Sequence, residues 1–107
     1  MYYEYGIGVE KNIHIAVDLY QKAARQGYAS AQCKLGFCYM NGTGVEKNIQ
    51  KAVELYQKAA NQGFANAQYN LGICYGDGIG VQKNIQKAVE LYQKAGFANA
   101  QSNLGLL

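Results

Sequence analysis

Gly76-Asp-Gly78-Ile-Gly80-Val-Gln-Lys83 has the glycine density of a loop that cradles phosphate. It lacks the closing Gly-Lys-Ser/Thr of such loops and follows no strand pattern. The same run recurs at Gly6 and Gly42, so it reads as an interhelical turn built from residues that tolerate positive φ. His14, the one histidine, falls in the column of Gln50 and Gln86 on the solvent side of a helix. A general base needs a positioned partner, and no nucleophile or carboxylate pattern accompanies it. Cys33, Cys38 and Cys74 are an odd number, which argues against a closed disulfide framework. Cys38 and Cys74 lie one period apart, in neighbouring helices whose axes pack at about 8–10 Å. A disulfide needs Cα atoms at about 5.5 Å, and Cys33 and Cys38 face different ways on one helix. No Cys-x-x-Cys or histidine partner offers a metal site. These residues therefore imply no catalytic group, no metal and no cofactor.

What positions them is a repeat. Gly42 to Ala59 recurs from Gly78 to Ala95, changed only at Thr43/Ile79 and Glu46/Gln82, and a more divergent copy begins at Gly6. Within each copy Ile49, Ala52, Val53, Tyr56 and Ala60 follow helical spacing, with Leu55 and Ala59 widening the apolar arc. This predicts a helix, B, over 13–26, 49–62 and 85–95. Asn12 and Asn48 are its expected N-caps, and Gly27 and Gly63 its left-handed C-caps. A second helix, A, is expected to open at Ser30, Asn66 and Asn99 and to stop before Gly42 and Gly78. Its fixed pattern is Leu35-Gly36-x-x-Tyr39, repeated at Leu71-Gly72-x-x-Tyr75. A glycine inside a helix costs roughly 1 kcal/mol against alanine, so Gly36 and Gly72 imply a close approach by helix B. The tyrosine columns Tyr20/Tyr56/Tyr92 and Tyr3/Tyr39/Tyr75 read as core. Lys47, Lys51 and Lys58, with Lys83, Lys87 and Lys94, read as the solvated side of helix B, where Glu54 and Glu90 stand four residues before a lysine.

Leu-Gly-x-x-Tyr followed by Ala52-x-x-x-Tyr56 resembles the tetratricopeptide pattern. The longer turn Gly42-x-Gly44-Val45, between Ala-x-Ala-Gln-x-x-Leu-Gly-x-x-Tyr and Lys-Ala-Val-x-x-Tyr-x-Lys-Ala-Ala, sharpens this to the Sel-1-like repeat family across essentially the whole chain. The resemblance implies an all-α fold, a right-handed α-solenoid of tandem antiparallel helix pairs. It also implies a scaffold or adaptor whose helix A lines a concave surface that takes a peptide or partner helix. Some relatives serve as adaptors in endoplasmic-reticulum protein degradation, so a fragment of such an adaptor is the alternative that the resemblance implies. Cysteine-rich secreted relatives link helix A to a cysteine where this chain has Ala24 and Ala60. Others have been described as β-lactamase-like, but Ser-x-x-Lys is absent.

Near-identical copies are most informative where they disagree. Helix B hardly changes between the second and third copies, whereas helix A changes at Cys33/Tyr69/Ser102, Phe37/Ile73/Leu106, Met40/Gly76 and Asn41/Asp77. Cys33, Phe37, Met40, Asn41, Tyr69, Ile73, Asp77, Ser102 and Leu106 are accordingly the candidate partner-binding residues. The expected partner is a protein or peptide.

Hydrophobic residues at 50% and charged residues at 16% of 107 residues suit one folded unit, 1–107, read as turn, helix B and helix A over about 5–41, 42–77 and 78–107. A net charge of +3 is too small for a dedicated nucleic-acid binder. No run approaches the roughly 18 apolar residues of a membrane span, and the amino terminus has no secretory pattern. With unpaired cysteines, this points to a reducing, cytoplasmic setting. In the third copy Ala59-Ala-Asn-Gln-Gly63 shrinks to Ala95-Gly96, so the stack is expected to bend or loosen there. Met1 stands in the column of Phe37 and Ile73, and Leu106 and Leu107 in the columns of Ile73 and Cys74, so each end carries the half-helix that the other lacks. Two outcomes fit, a longer solenoid or head-to-tail self-association. The first is favoured because a small contact must offset the entropy of association.

Overall fold

The computed structural model describes residues 5–103, with side chains described for residues 12–97. Five helices follow one another: α1 (Tyr5–Arg25), α2 (Ala29–Asn41), α3 (Ile49–Asn61), α4 (Ala65–Asp77) and α5 (Ile85–Asn103). No strand occurs among the described residues. Each helix packs on the next, giving the all-α, tetratricopeptide-like solenoid that the repeat requires. α2 and α4 are the A helices and α3 is a B helix.

The turn from B to A is short and rigid. Gly27 and Gly63 take positive φ of 93° and 85°. Tyr28 N–H donates to Ala23 O and Gly27 N–H to Ala24 O, and Phe64 and Gly63 repeat this on Ala59 and Ala60. These paired bonds are the Schellman ending. The residue that closes helix B is at once the N-cap of helix A: Tyr28 and Phe64 hold that position, with no side-chain cap bond. Ser30 and Asn66, expected as N-caps, instead lie inside the first turn of α2 and α4. The connection leaves no free position for a capping residue.

The turn from A to B spans residues 42–48 and 78–84. Gly42, Gly44, Gly78 and Gly80 all take positive φ. Asn48 N–H reaches back to Tyr39 O at 2.9 Å, and Asn84 N–H to Tyr75 O at 2.8 Å. The Asn48 and Asn84 side chains cap the following helices through Lys51 N–H and Lys87 N–H, at 3.1 and 3.0 Å. Each turn sits on the B helix before it. A Cβ on Gly44 would lie 2.6 Å from Ile13 Cγ2 and 2.8 Å from Val17 Cγ2; one on Gly80 would lie 2.8 Å from Cγ2 of both Ile49 and Val53.

Two expectations fail at the ends of the array. Gly6 and Gly8 form no turn and Asn12 no N-cap, because α1 runs unbroken from Tyr5. Glycine permits the turn, but contact with a preceding B helix holds it, and no described helix precedes α1. Helix A does not reopen at Asn99 either: α5 continues to Asn103. The missing three residues would rotate the following segment by about 300° and shift it by about 4.5 Å, so the Schellman bonds cannot form in register.

Gly36 and Gly72 do mark the close approach of helix B. A Cβ at Gly36 would meet Tyr56 Cε1 at 2.9 Å and Ala52 O at 3.2 Å, and one at Gly72 would meet Tyr92 Cε1 at 2.7 Å. Around these contacts lie two apolar clusters. One centres on Tyr56, Ala59, Ala67, Leu71, Cys74 and Leu91, the other on Val17, Leu35, Cys38 and Leu55. Tyr56 is core, Tyr20, Tyr39 and Tyr75 are half-buried and Tyr92 is exposed, so the tyrosine columns are core only in part. Tyr3 lies outside the described residues.

Candidate interaction groove

α1, α2 and α4 enclose a groove of about 490 Å³. Its wall on α1 is Ile13, Ala16, Val17 and Tyr20, all spaced to share one helix face. α2 contributes Cys33, Lys34, Phe37 and Cys38, the turn contributes Thr43, and α4 contributes Asn66, Tyr69 and Asn70. Phe37 and Tyr69 are 58% and 55% exposed, large apolar surfaces to leave in water. Lys34 Nζ lies 5.8 Å from the Tyr20 ring centroid, a loose cation–π contact at the rim. The Tyr69 ring tilts against Tyr92 at 5.4 Å, which fixes its direction.

The structure gathers three of the candidate residues, Cys33, Phe37 and Tyr69, into this groove. Cys33 is buried and belongs to the floor, where Asn70 Nδ2 donates to its sulfur at 3.8 Å. Asn41 is exposed and binds back to Phe37 O at 3.0 Å, while Asp77 is exposed at the end of α4. Met40 and Ile73 are half-buried, Met40 against the larger cluster. None of these four lines the groove. The Ser102 side chain and Leu106 lie outside the described residues. Lys34, Asn66 and Asn70 were missed, although their columns also differ between copies (Ser30/Asn66 and Lys34/Asn70). The α1 residues were missed for another reason. Their columns are constant and apolar, and that pattern reads as core.

Burial pushes the thiols of Cys33, Cys38 and Cys74 above their ordinary value, and the Asp77 carboxylate adds to the effect at Cys74. Asn70 and Lys34 oppose it weakly at Cys33. Tyr56 is pushed up as well, chiefly by burial. A protonated thiol is a poor nucleophile and a poor metal ligand. Among the described residues no three of His, Cys, Asp and Glu gather to hold a metal ion, and no helix is long and apolar enough to cross a membrane.

The Sel1 repeat model matches residues 1–28, 29–64 and 65–96. The chain belongs to the Sel1 repeat family. Solved Sel1 repeat structures share its fold. The Sel1 repeat protein from Oxalobacter formigenes is 43% identical with a TM-score of 0.76, over 87% of this chain and 40% of its own. The protein c5321, a protective antigen of uropathogenic Escherichia coli strains with an SLR fold, is 38% identical with a TM-score of 0.73, over 75% of this chain and 17% of its own. Cysteine rich protein B of Helicobacter pylori is 30% identical with a TM-score of 0.74, over 85% and 68%. The chain thus spans less than half the length of the first two. No curated protein matches it. Within the Sel1 family the fold is a helical repeat scaffold, of a kind that typically mediates protein–protein contact.

Proposed function

We propose that this Sel1 array is a protein-interaction scaffold whose groove between α1, α2 and α4 takes an extended peptide or a partner helix. The observation that carries the reading is the pairing of Phe37 and Tyr69, two exposed aromatic side chains on successive A helices, over an apolar floor. Aromatic anchors of this kind supply most of the affinity at protein interfaces. Lys34 and Asn66, exposed at the rim, offer donors to the backbone of a bound segment. The array acts as one unit, read as 5–41, 42–77 and 78–107, and catalyses nothing. Its buried, protonated thiols offer no cysteine nucleophile, which supports a non-catalytic role.

A displayed peptide library selected on the wild-type chain tests this. Selected peptides should lose about tenfold or more in affinity against Phe37→Ala or Tyr69→Ala, with helix content retained by circular dichroism. Peptides indifferent to both changes but lost on substituting Lys51 and Lys58 would place the interface on the outer side of α3 instead. Selected binders that the chain hydrolyses would reopen the enzymatic reading.

A further inference from the structure

Gln32 and Gln68 hold the same place on α2 and α4, and each is 6% exposed. The nitrogen end of each amide donates to a carbonyl near the end of the preceding helix B, Ala24 O at 3.5 Å and Ala60 O at 3.4 Å. Those bonds fix which end is which, so each amide oxygen is a buried acceptor. Gln32 Oε1 receives the Gln62 side chain from the end of α3, with Nε2 donating at 2.9 Å. Gln68 Oε1 has no hydrogen-bond partner among the described residues, and the counterpart of Gln62 falls in the three residues that the third copy lacks. All three helices that frame this place, α3, α4 and α5, are described; the gap arises from the deletion inside the third copy. A buried acceptor left unbonded is costly, so a donor that reaches it is strongly favoured.

Gln68 lines a cleft of about 390 Å³ between α3, α4 and α5. Ala60, Gln68 and Leu91 form its buried floor, and Lys87, Glu90 and Lys94 stand exposed at its mouth. Except for Asn61, every lining residue has an identical counterpart 36 residues earlier, at the junction that Gln62 enters. The polar groups select among ligands. A carboxylate would set oxygen against Gln68 Oε1, acceptor against acceptor. A guanidinium or ammonium carries donors only and meets two lysines for one glutamate. A primary carboxamide carries both halves, an N–H for Gln68 Oε1 and a carbonyl for a lysine ammonium. We propose that this cleft binds a primary carboxamide, the side chain of a glutamine or asparagine, in the manner that Gln32 holds Gln62 one repeat earlier. The site shares only α4 with the groove at α1, α2 and α4 and does not depend on that reading.

An NMR titration read at the Gln68 side-chain amide and the Leu91 N–H provides the test. Two probes carry the carboxamide: N-acetyl-glutamine N-methylamide, which stands for a glutamine of a partner protein, and free L-glutamine. A ligand of this size should saturate with a Kd of about 1 mM. Saturation by either probe supports the site, and the one that binds more tightly identifies the source of the carboxamide. N-acetyl-glutamate N-methylamide should bind at least about tenfold more weakly, since it lacks the N–H that Gln68 Oε1 needs. Gln68→Met should abolish binding, whereas Gln32→Met, the same change at the junction already filled by Gln62, should leave it intact. Inserting Ala-Asn-Gln after Ala95 supplies the side chain from within and should abolish binding with the fold retained, which separates loss of the site from loss of structure. No saturable shift from either carboxamide probe up to about 50 mM would mean that water alone meets Gln68 Oε1, and overturns the proposal. Equal binding of the glutamate probe, or binding that survives Gln68→Met or the insertion, overturns it as well.

Discussion

α3 and the first turns of α5 are the same sequence in two environments. Val53 is 8% exposed and Val89 45%; Tyr56 is 3% exposed and Tyr92 38%. The hydrophobic pattern of helix B marks two faces for burial. Whether the second is buried depends on the next turn and the next A helix being in place. In a solenoid the repeat sequence specifies what a surface can accept, and its neighbour decides what is core.

The largest effect should appear when the tyrosine column is truncated. Tyr56→Ala is expected to cost about 3–5 kcal/mol, the range for deleting a buried aromatic ring, and Tyr92→Ala about 1–2 kcal/mol. Equal losses by urea denaturation would mean that the two faces are equally covered in solution. Gly80→Ala comes next. Its positive φ and its contacts with the branched Ile49 and Val53 predict a loss of about 2–3 kcal/mol, whereas alanine at Gly96, which has open space around it, should be neutral or slightly stabilising. A result in the opposite order would break the comparison.

A smaller effect sharpens the view of the third junction. Gln62 Nε2 donates to the buried Gln32 Oε1 at 2.9 Å, but Gln68 Oε1 is buried with no hydrogen-bond partner among the described residues. Its donor belongs to the Ala-Asn-Gln segment that the third copy lacks. Inserting Ala-Asn-Gln after Ala95 should restore that bond and the Schellman break, raising stability by about 1 kcal/mol. Hydrogen exchange should then show a gap in protection at the Gly96 column. Uninterrupted protection across it would show that the deletion is not what fuses the helix.

The smallest effect is in pH. Cys33, Cys38, Cys74 and Tyr56 all hold their protons more tightly in the fold than in the unfolded chain. Above the ordinary thiol value near 9 the unfolded state releases protons first, so stability is at its full value below that pH and declines as pH rises through and beyond it. Replacing Cys74 with alanine should flatten the slope, measured as denaturation midpoint from pH 7 to 10.5. An unchanged slope would remove Cys74 from the account.

The regular middle of the array was legible in its residues. Helix periodicity, the Asn48 cap and the left-handed Gly27 and Gly63 all follow from local chemistry that repeats. The helix A caps were not legible, because Tyr28 and Phe64 take that place through the preceding Schellman bonds, a constraint from another helix. The groove was half legible. Divergence between copies pointed to Phe37 and Tyr69, whereas Ile13, Val17 and Tyr20 reach the groove only through the placement of α1 against α2 and α4. Fusion at Gly6 and Gly96 escaped the sequence because a glycine turn forms only where contacts from other helices hold it, and among the described residues no helix precedes α1 and nothing lies within 4 Å of a Cβ at Gly96.

The two kinds of joint make the array mechanically uneven. Between B and A there is no slack: residues 26–28 and 62–64 are tied by consecutive backbone hydrogen bonds, and one residue serves both helices. Between A and B, residues 42–48 and 78–84 hold extra chain folded against a seat. Under an end-to-end pull, residues 42–48 and 78–84 are where chain length is held in reserve, whereas the joints between B and A hold none.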